Sequence, residues 1–302
     1  MKILKTFAAA MLLLAGATAC DSDNDIDYDP VVNLTLNPNV SFTTCKNISG
    51  DGSWAIFDAP TYNFKINTST FNVSLEAVKL TYAEGKNISF TIDNLLLTVD
   101  QKDNSWTISN RNPLVVRDTD GNDHEITGFN AYIFSSGRAP EIVRIEYTLD
   151  NAYKIRGVMK YNAFMGKTTV TTAQAGEDPY ENESTVYFLI LDHKARKAKI
   201  LLYEAKFSQG MPRTLDMDFL SHPFSVGDDG LTIDVPERFE PMNNGVPVER
   251  YAITDLNLLL NPCRTLDGSF SCAGFEVAID TESALAIKDS ILRKMTVDMG
   301  KY

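Results

Sequence analysis

The chain has 302 residues, of which 44% are hydrophobic and 23% charged, with 4 Cys, 3 His and a formal net charge of -12. This is a globular composition, and it excludes a disordered tail, a collagen-like repeat, a disulfide-dense miniprotein and a long coiled coil. The length accommodates two domains with a core each, and the negative balance disfavours a nucleic-acid or anionic-membrane binder, which needs clustered Lys and Arg.

The first element is an address. Lys2 and Lys5 precede an apolar run from Phe7 to Leu14, then come the small residues Ala15-Gly16-Ala17-Thr18-Ala19 and Cys20. A charged start, an apolar middle and a small-residue cleavage site make a signal peptide over residues 1–19, with an apolar run too short to span a bilayer. Ending on Cys20, the segment resembles the bacterial lipoprotein signal peptide. That resemblance implies a diacylated Cys20 at the mature N-terminus, although Ala17 stands where the lipobox Leu is common. The tether 20–30 follows, with Asp21, Asp23, Asp25, Asp27 and Asp29 and no Lys or Arg before Lys46. Like charges at this density repel and extend a linker. The tract also resembles the surface-export signal of Bacteroidetes lipoproteins, which implies an outer-membrane, lipid-anchored, surface-exposed location. Removing residues 1–19 takes away two Lys and no acid, which leaves -14.

From Val31 to Ile279 helical periodicity gives way to short alternating runs such as Ser89-Phe90-Thr91-Ile92-Asp93 and Thr214-Leu215-Asp216-Met217-Asp218. Every second residue of such a run can face a core. Turn signals punctuate them at Gly50-Asp51-Gly52, Asp120-Gly121-Asn122, Asp228-Asp229-Gly230, Asn244-Gly245 and Asp267-Gly268. The body is therefore expected to be all-β.

The first half also slides onto the second at an offset of 125 residues: Tyr62 meets Tyr187, Gly85 meets Gly210, Asp93 meets Asp218, and Thr107-Ile108 meets Thr232-Ile233. Phe90 and Ile92 fall on Leu215 and Met217. After a two-residue adjustment Ile126-Thr127 meets Ile253-Thr254 and Asn130 meets Asn257. Self-similarity at a fixed period marks a repeated unit. The expectation is two tandem, internally duplicated antiparallel β-meander domains, 31–150 and 153–279, each an up-and-down barrel or a flattened sandwich. The second copy offers strands at 153–160, 166–172, 184–191, 198–207, 213–220, 230–235, 251–261 and 269–279. Residues 280–302 form a C-terminal helix and tail, with Thr281 as cap and Ala284, Ile287, Ile291 and Met295 as one apolar stripe. Tandem β domains behind an acidic lipoprotein leader resemble gut-Bacteroidetes lipoproteins with calycin-like or sandwich domains of unknown function.

Candidate chemistry is sparse. A hairpin turning at Asp267-Gly268 sets Leu260 opposite Phe275 and Cys263 opposite Cys272, at a separation a disulfide accepts. Pro262, with no N–H to donate, argues against that register. Asp118, Asp120, Asn122 and Asp123 gather oxygen ligands around Gly121, a set Ca²⁺ favours, but residue 123 stands where an EF-hand requires Gly and Phe129 where it requires Glu. The three His fit no catalytic or metal motif, and HExxH, CxxC, GxSxG and P-loop patterns are absent. Trp54, in a loop after Gly52-Ser53, is the candidate ligand contact, whereas Trp106 shares parity with Ile108 and belongs to the core.

These readings lead to a lipid-anchored, non-enzymatic surface binding protein for a glycan, lipid or host ligand, with no cofactor and no nucleic-acid partner. A fimbria-like structural or adhesive subunit is the alternative, and a polymer-acting hydrolase using paired carboxylates is third.

Overall fold

The structure, a computed structural model, describes residues 33–302 apart from 68–69, 101–104, 111, 135–140, 173–177, 263 and 285–286. The signal peptide, Cys20 and the acidic tether lie outside the described residues, as does Cys263. The fold is all-β with one C-terminal helix, in two units that divide between Val158 and Met159.

In the first unit the strands are β1 (Asn33–Leu36), β2 (Val40–Asn47), β3 (Trp54–Asp58), β4 (Thr61–Asn67), β5 (Asn72–Ala83), β6 (Lys86–Asp100), β7 (Ser105–Ser109), β8 (Leu114–Arg117), β9 (Asp123–Phe134), β10 (Glu141–Leu149) and β11 (Tyr153–Met159). They pair in the order β1-β4-β5-β6-β7-β9-β10-β11-β2-β3, with β8 alongside β9. β1 and β2 are two pieces of one strand interrupted at Asn37-Pro38-Asn39. The first piece pairs with β4 and the second neighbours β11, so the pairing runs around a closed ring. Residues 153–159, expected to open the second domain, complete this first ring instead, because Tyr153 to Gly157 pair with Leu149 to Ile145.

The second unit has β12 (Tyr161–Thr172), β13 (Tyr180–Asn182), β14 (Val186–Asp192), β15 (Lys197–Ala205), β16 (Leu215–Pro223), β17 (Ser225–Val226), β18 (Leu231–Val235), β19 (Met242–Asn243), β20 (Val246–Pro247), β21 (Ile253–Asn261), β22 (Thr265–Cys272), β23 (Phe275–Ser283) and helix α1 (Asp289–Met299). Its order is β17-β18-β21-β22-β23-β12-β14-β15-β16-β19-β20. Here β12 is unbroken, pairing with β14 at its start and with β23 along the rest. The interruption moves to Phe224, between β16, which pairs with β15, and β17, which pairs with β18. Both units are therefore the same up-and-down ring, broken in its first strand in one copy and in its fourth in the other.

Backbone detail repeats as well. Left-handed residues recur in pairs: Phe71 and Arg196 (φ 54 and 51), Lys79 and Glu204 (φ 57 and 55), Gly128 and Asp255 (φ 60 and 53). The amide of Leu97 donates to Phe71 O at 3.1 Å, and that of Phe224 donates to Arg196 O at 3.1 Å. At the Lys79 and Glu204 bulges the free amide is taken by a side chain of the next strand, Ser89 Oγ at 2.9 Å and Asp216 Oδ1 at 3.1 Å.

The pairings also correct the alignment. Ala77 faces Phe90 as Leu202 faces Met217, and Glu76 faces Thr91 as Leu201 faces Asp218. Phe90 thus matches Met217 and Ile92 matches Phe219, two residues from the sequence-only match. A slip of two keeps every side chain on the same face, so parity alone could not detect it.

Each ring is filled by side chains. Tyr62, Phe64, Phe90, Trp106, Phe129 and Tyr147 are buried in the first core, where the Phe129 and Tyr147 rings stack at 5.8 Å. In the second, Phe270 meets Phe219 edge-on at 5.2 Å. The buried hydroxyls of the matched tyrosines are satisfied, Tyr62 by Tyr147 at 3.1 Å and Tyr187 by Thr168 at 2.9 Å.

The C-terminal expectations hold in part. Ile291 and Met295 are buried and Ile287 packs beside them on Val186, Phe188, Ile190, Leu201 and Tyr203. Thr281 is not a cap, however. It is a buried residue of β23 whose hydroxyl donates to Leu266 O at 2.7 Å, and α1 begins eight residues later at Asp289.

The hairpin register is also corrected. β21 and β22 pair up to Asn261 opposite Thr265, with Leu260 opposite Leu266 and Ile253 opposite Cys272, and the next turn is Ala273-Gly274, both left-handed as a two-residue hairpin requires. Gly268 lies mid-strand, where a Cβ would overlap the Asn257 carbonyl oxygen. Its glycine serves close strand approach rather than a turn. Cys272, expected in a bond with Cys263, is a free, buried thiol at the end of β22, where its Sγ donates to Tyr251 O at 3.6 Å.

Candidate functional site

The outer face of β4, β5 and β6 carries a cleft of about 450 Å³ lined by Lys65, Asn67, Asn72, Ser74, Asp93 and Asn94. Alternation makes it: Phe64, Ile66, Val73, Leu75 and Ile92 turn inward to the core, so their neighbours in sequence turn out. The β4–β5 register sets Lys65 beside Ser74 and Asn67 beside Asn72. The amide of Thr70 donates to Asn67 Oδ1 at 2.9 Å and holds the hairpin end. Opposite Ser74, β6 bulges by one residue between Ile92 and Leu95, with Asn94 at φ 61. The bulge puts Asp93 and Asn94, both exposed, on the rim. Among the described residues the side chains of Lys65, Asn72, Ser74, Asp93 and Asn94 are engaged by no hydrogen bond or ion pair within the protein. An ammonium, a carboxylate, two amides and a hydroxyl thus converge with their bonding capacity free.

Trp54 lies at the start of the edge strand β3, half-buried, opposite Lys46. The guanidinium of Arg156 sits 4.7 Å from its ring centroid, so one face of the ring is already covered by a cation–π contact. Trp106 is buried in the core as expected.

The calcium candidates do not converge. Asp118 folds its own loop, accepting from the amides of Asp120 and Asn122 at 2.9 and 2.7 Å and from Asn122 Nδ2 at 3.1 Å. Asp123 pairs instead with Arg117 at 2.8 Å, and Asp120 is exposed. Among the described residues no group of three His, Cys, Asp or Glu is placed to hold a metal ion.

Sequence reasoning missed what Asp118 joins. His124 lies between two carboxylates, Nδ1 at 2.8 Å from Asp150 and Nε2 at 3.2 Å from Asp118. Burial favours the neutral ring, but the hydrogen bonds to Asp150 and Asp118 outweigh it and raise the imidazole above its ordinary value. Burial also opposes ionisation of Asp118, and the hydrogen bonds from Asn122, His124 and Asp120 prevail, lowering it to about 2. Glu125 and Asn151 add a bond at 2.6 Å. The whole cluster fastens the β8–β9 loop to the Asp150-Asn151 turn. The thiols of Cys45 and Cys272 are pushed up to about 12 by burial, which suits packing rather than nucleophilic chemistry.

The cleft left no signal in the sequence, because its residues come from three strands and meet only through register and a bulge. No protein-family model matches the chain, and no curated protein matches it. Among the described residues no helix is long and apolar enough to cross a membrane.

Proposed function

We propose that this chain is a lipid-anchored, non-enzymatic binding protein of the Bacteroidetes type, held at the outer membrane through Cys20 and meeting a glycan, lipid or host ligand at the cell surface. The leader and the acidic tether support the location. The ligand reading is supported by one observation above all: the rings are filled by aromatic side chains, while the first unit keeps a cleft of unengaged polar groups on its outside. A ligand then meets the wall of the barrel rather than its lumen.

Native mass spectrometry of the purified mature chain, together with glycan and lipid panels, tests the reading. A retained or titratable ligand is the expected result. An empty protein that binds nothing in either panel overturns it. The fimbria-like alternative draws on the short strand β3, which pairs with β2 alone among the described strands and offers backbone groups for strand addition. Sedimentation at rising concentration separates the two, since self-association favours the subunit and a constant monomer mass favours the binding protein.

A further inference from the structure

We propose that the cleft over β4–β6 is a carbohydrate subsite that takes a short, neutral, hydroxyl-rich stretch of a glycan chain, an assignment that rests on the surface-binding reading above. The duplication supplies the first support. The matching place on the second unit is already a seat: Lys199, which matches Ser74, is buried beneath the ring of Tyr302 at 5.0 Å and pairs with Asp218 at 2.6 Å. Lys160 holds the Tyr302 carbonyl at 2.7 Å. One copy fills this position with its own C-terminal residues. In the other no described residue covers it.

The residues of the first copy decide what fits there. In the apolar seat of α1, Val186, Phe188, Ile190 and Leu201 become Thr61, Asn63, Lys65 and Glu76, and only Tyr203 keeps an apolar match, Val78. An apolar helix laid on that surface would strip water from these groups and return no hydrogen bonds. The occupant must therefore bring its own density of polar groups. Lys65 only donates, Asp93 only accepts, and Asn72, Asn94 and Ser74 do both. An anion would meet Asp93 and a cation would meet Lys65. Neighbouring sugar hydroxyls, each a donor and an acceptor, match both without net charge. The volume lies in the range of small-ligand sites, and the absence of an aromatic ring from the lining makes hydrogen bonding rather than stacking the source of affinity.

The test uses the full mature chain and hexasaccharides of cellulose, mannan and chitin as neutral probes, with a heparin hexasaccharide as anionic control, read by calorimetry and ligand-observed NMR. Asp93→Ala removes the acceptor, Ser74→Trp fills the cleft from an outward position, and Trp54→Ala alters the other candidate; circular dichroism checks each fold. Binding of a neutral probe weakened at least tenfold by Asp93→Ala and by Ser74→Trp, and unchanged by Trp54→Ala, is the expected result. Neutral binding that survives both cleft variants overturns the subsite and leaves the surface-binding reading standing. Binding of the anionic probe alone overturns the ligand class. If no oligosaccharide binds but a lipid is retained in native mass spectrometry, the subsite falls alone; if nothing binds, both fall.

Discussion

The outer face of β14–β15 and the outer face of β4–β5 are the same place in two copies of one ring, yet they have opposite chemistry. Val186, Phe188, Ile190, Leu201 and Tyr203 lie under α1, and β14 is buried on both sides except at its last residue. At the matching positions Thr61 and Glu76 are exposed, and Asn63 reaches Glu76 across the strands at 2.9 Å. Among the described residues only the second copy carries a helix that covers an apolar outer face, and only that copy has such a face. The inward faces of the two copies have stayed alike, while the outward faces have followed what lies on them: a helix in one case, solvent or ligand in the other.

The largest expected effect comes from uncovering the second face. Ile291 is buried at the centre of the α1 contact, and Ile291→Ala should destabilise by about 2–5 kcal/mol. Asn63→Ala, on the bare face of the first copy, should change stability by no more than about 0.5 kcal/mol. Urea unfolding followed by circular dichroism compares the two, and equal losses would mean that α1 is not what distinguishes the faces. The next effect tests likeness. Tyr62→Phe leaves the Tyr147 hydroxyl without its buried partner, and Tyr187→Phe does the same to Thr168. Each should lose about 1–3 kcal/mol. A loss in one copy with none in the other would break the equivalence of the two cores.

The contrast between inside and outside also explains what the sequence discloses. Alternation is a period-two signal, and it located the strands and placed Trp106 inside with Ile108, because burial on one face of a sheet enforces it. The same signal is blind to a shift of two, hence the displaced match of Phe90 and Ile92. It is also blind to which glycine turns the chain: Asp267-Gly268 and Ala273-Gly274 compete, and the decision came from backbone crowding at Asn257, which is a tertiary fact. The stripe Ile287, Ile291 and Met295 was legible as a helix face, whereas Thr281 was legible as a cap only while the extent of β23 was unknown. The cleft depends on the meeting of Lys65, Ser74 and Asp93 from three strands, and no window of sequence contains them.

The smallest expected effect belongs to a device that only the first copy has. The ring position of His124 is held by Tyr251 in the second copy, and Asp150 is matched by Ala273, so no imidazole can join the corresponding loop and turn. Because His124 titrates above its ordinary value of 6.5 in the folded chain, its contribution is complete below about pH 6.5 and is lost as pH rises through the raised value. The contribution of Asp118 runs the other way: it is present above 3.8 and lost as pH falls toward about 2. The fastening between the β8–β9 loop and the Asp150-Asn151 turn is therefore strongest between these limits. Hydrogen exchange at pH 5.5 and 8.5, corrected for the intrinsic rate, should show protection at residues 118–125 and 149–152 reduced by about 1 kcal/mol at the higher pH. The β21 start and the Ala273-Gly274 turn should show no such change. His124→Gln should abolish the difference in the first copy, and a pH dependence of equal size in both copies would show that it arises elsewhere than in the carboxylate–imidazole contact.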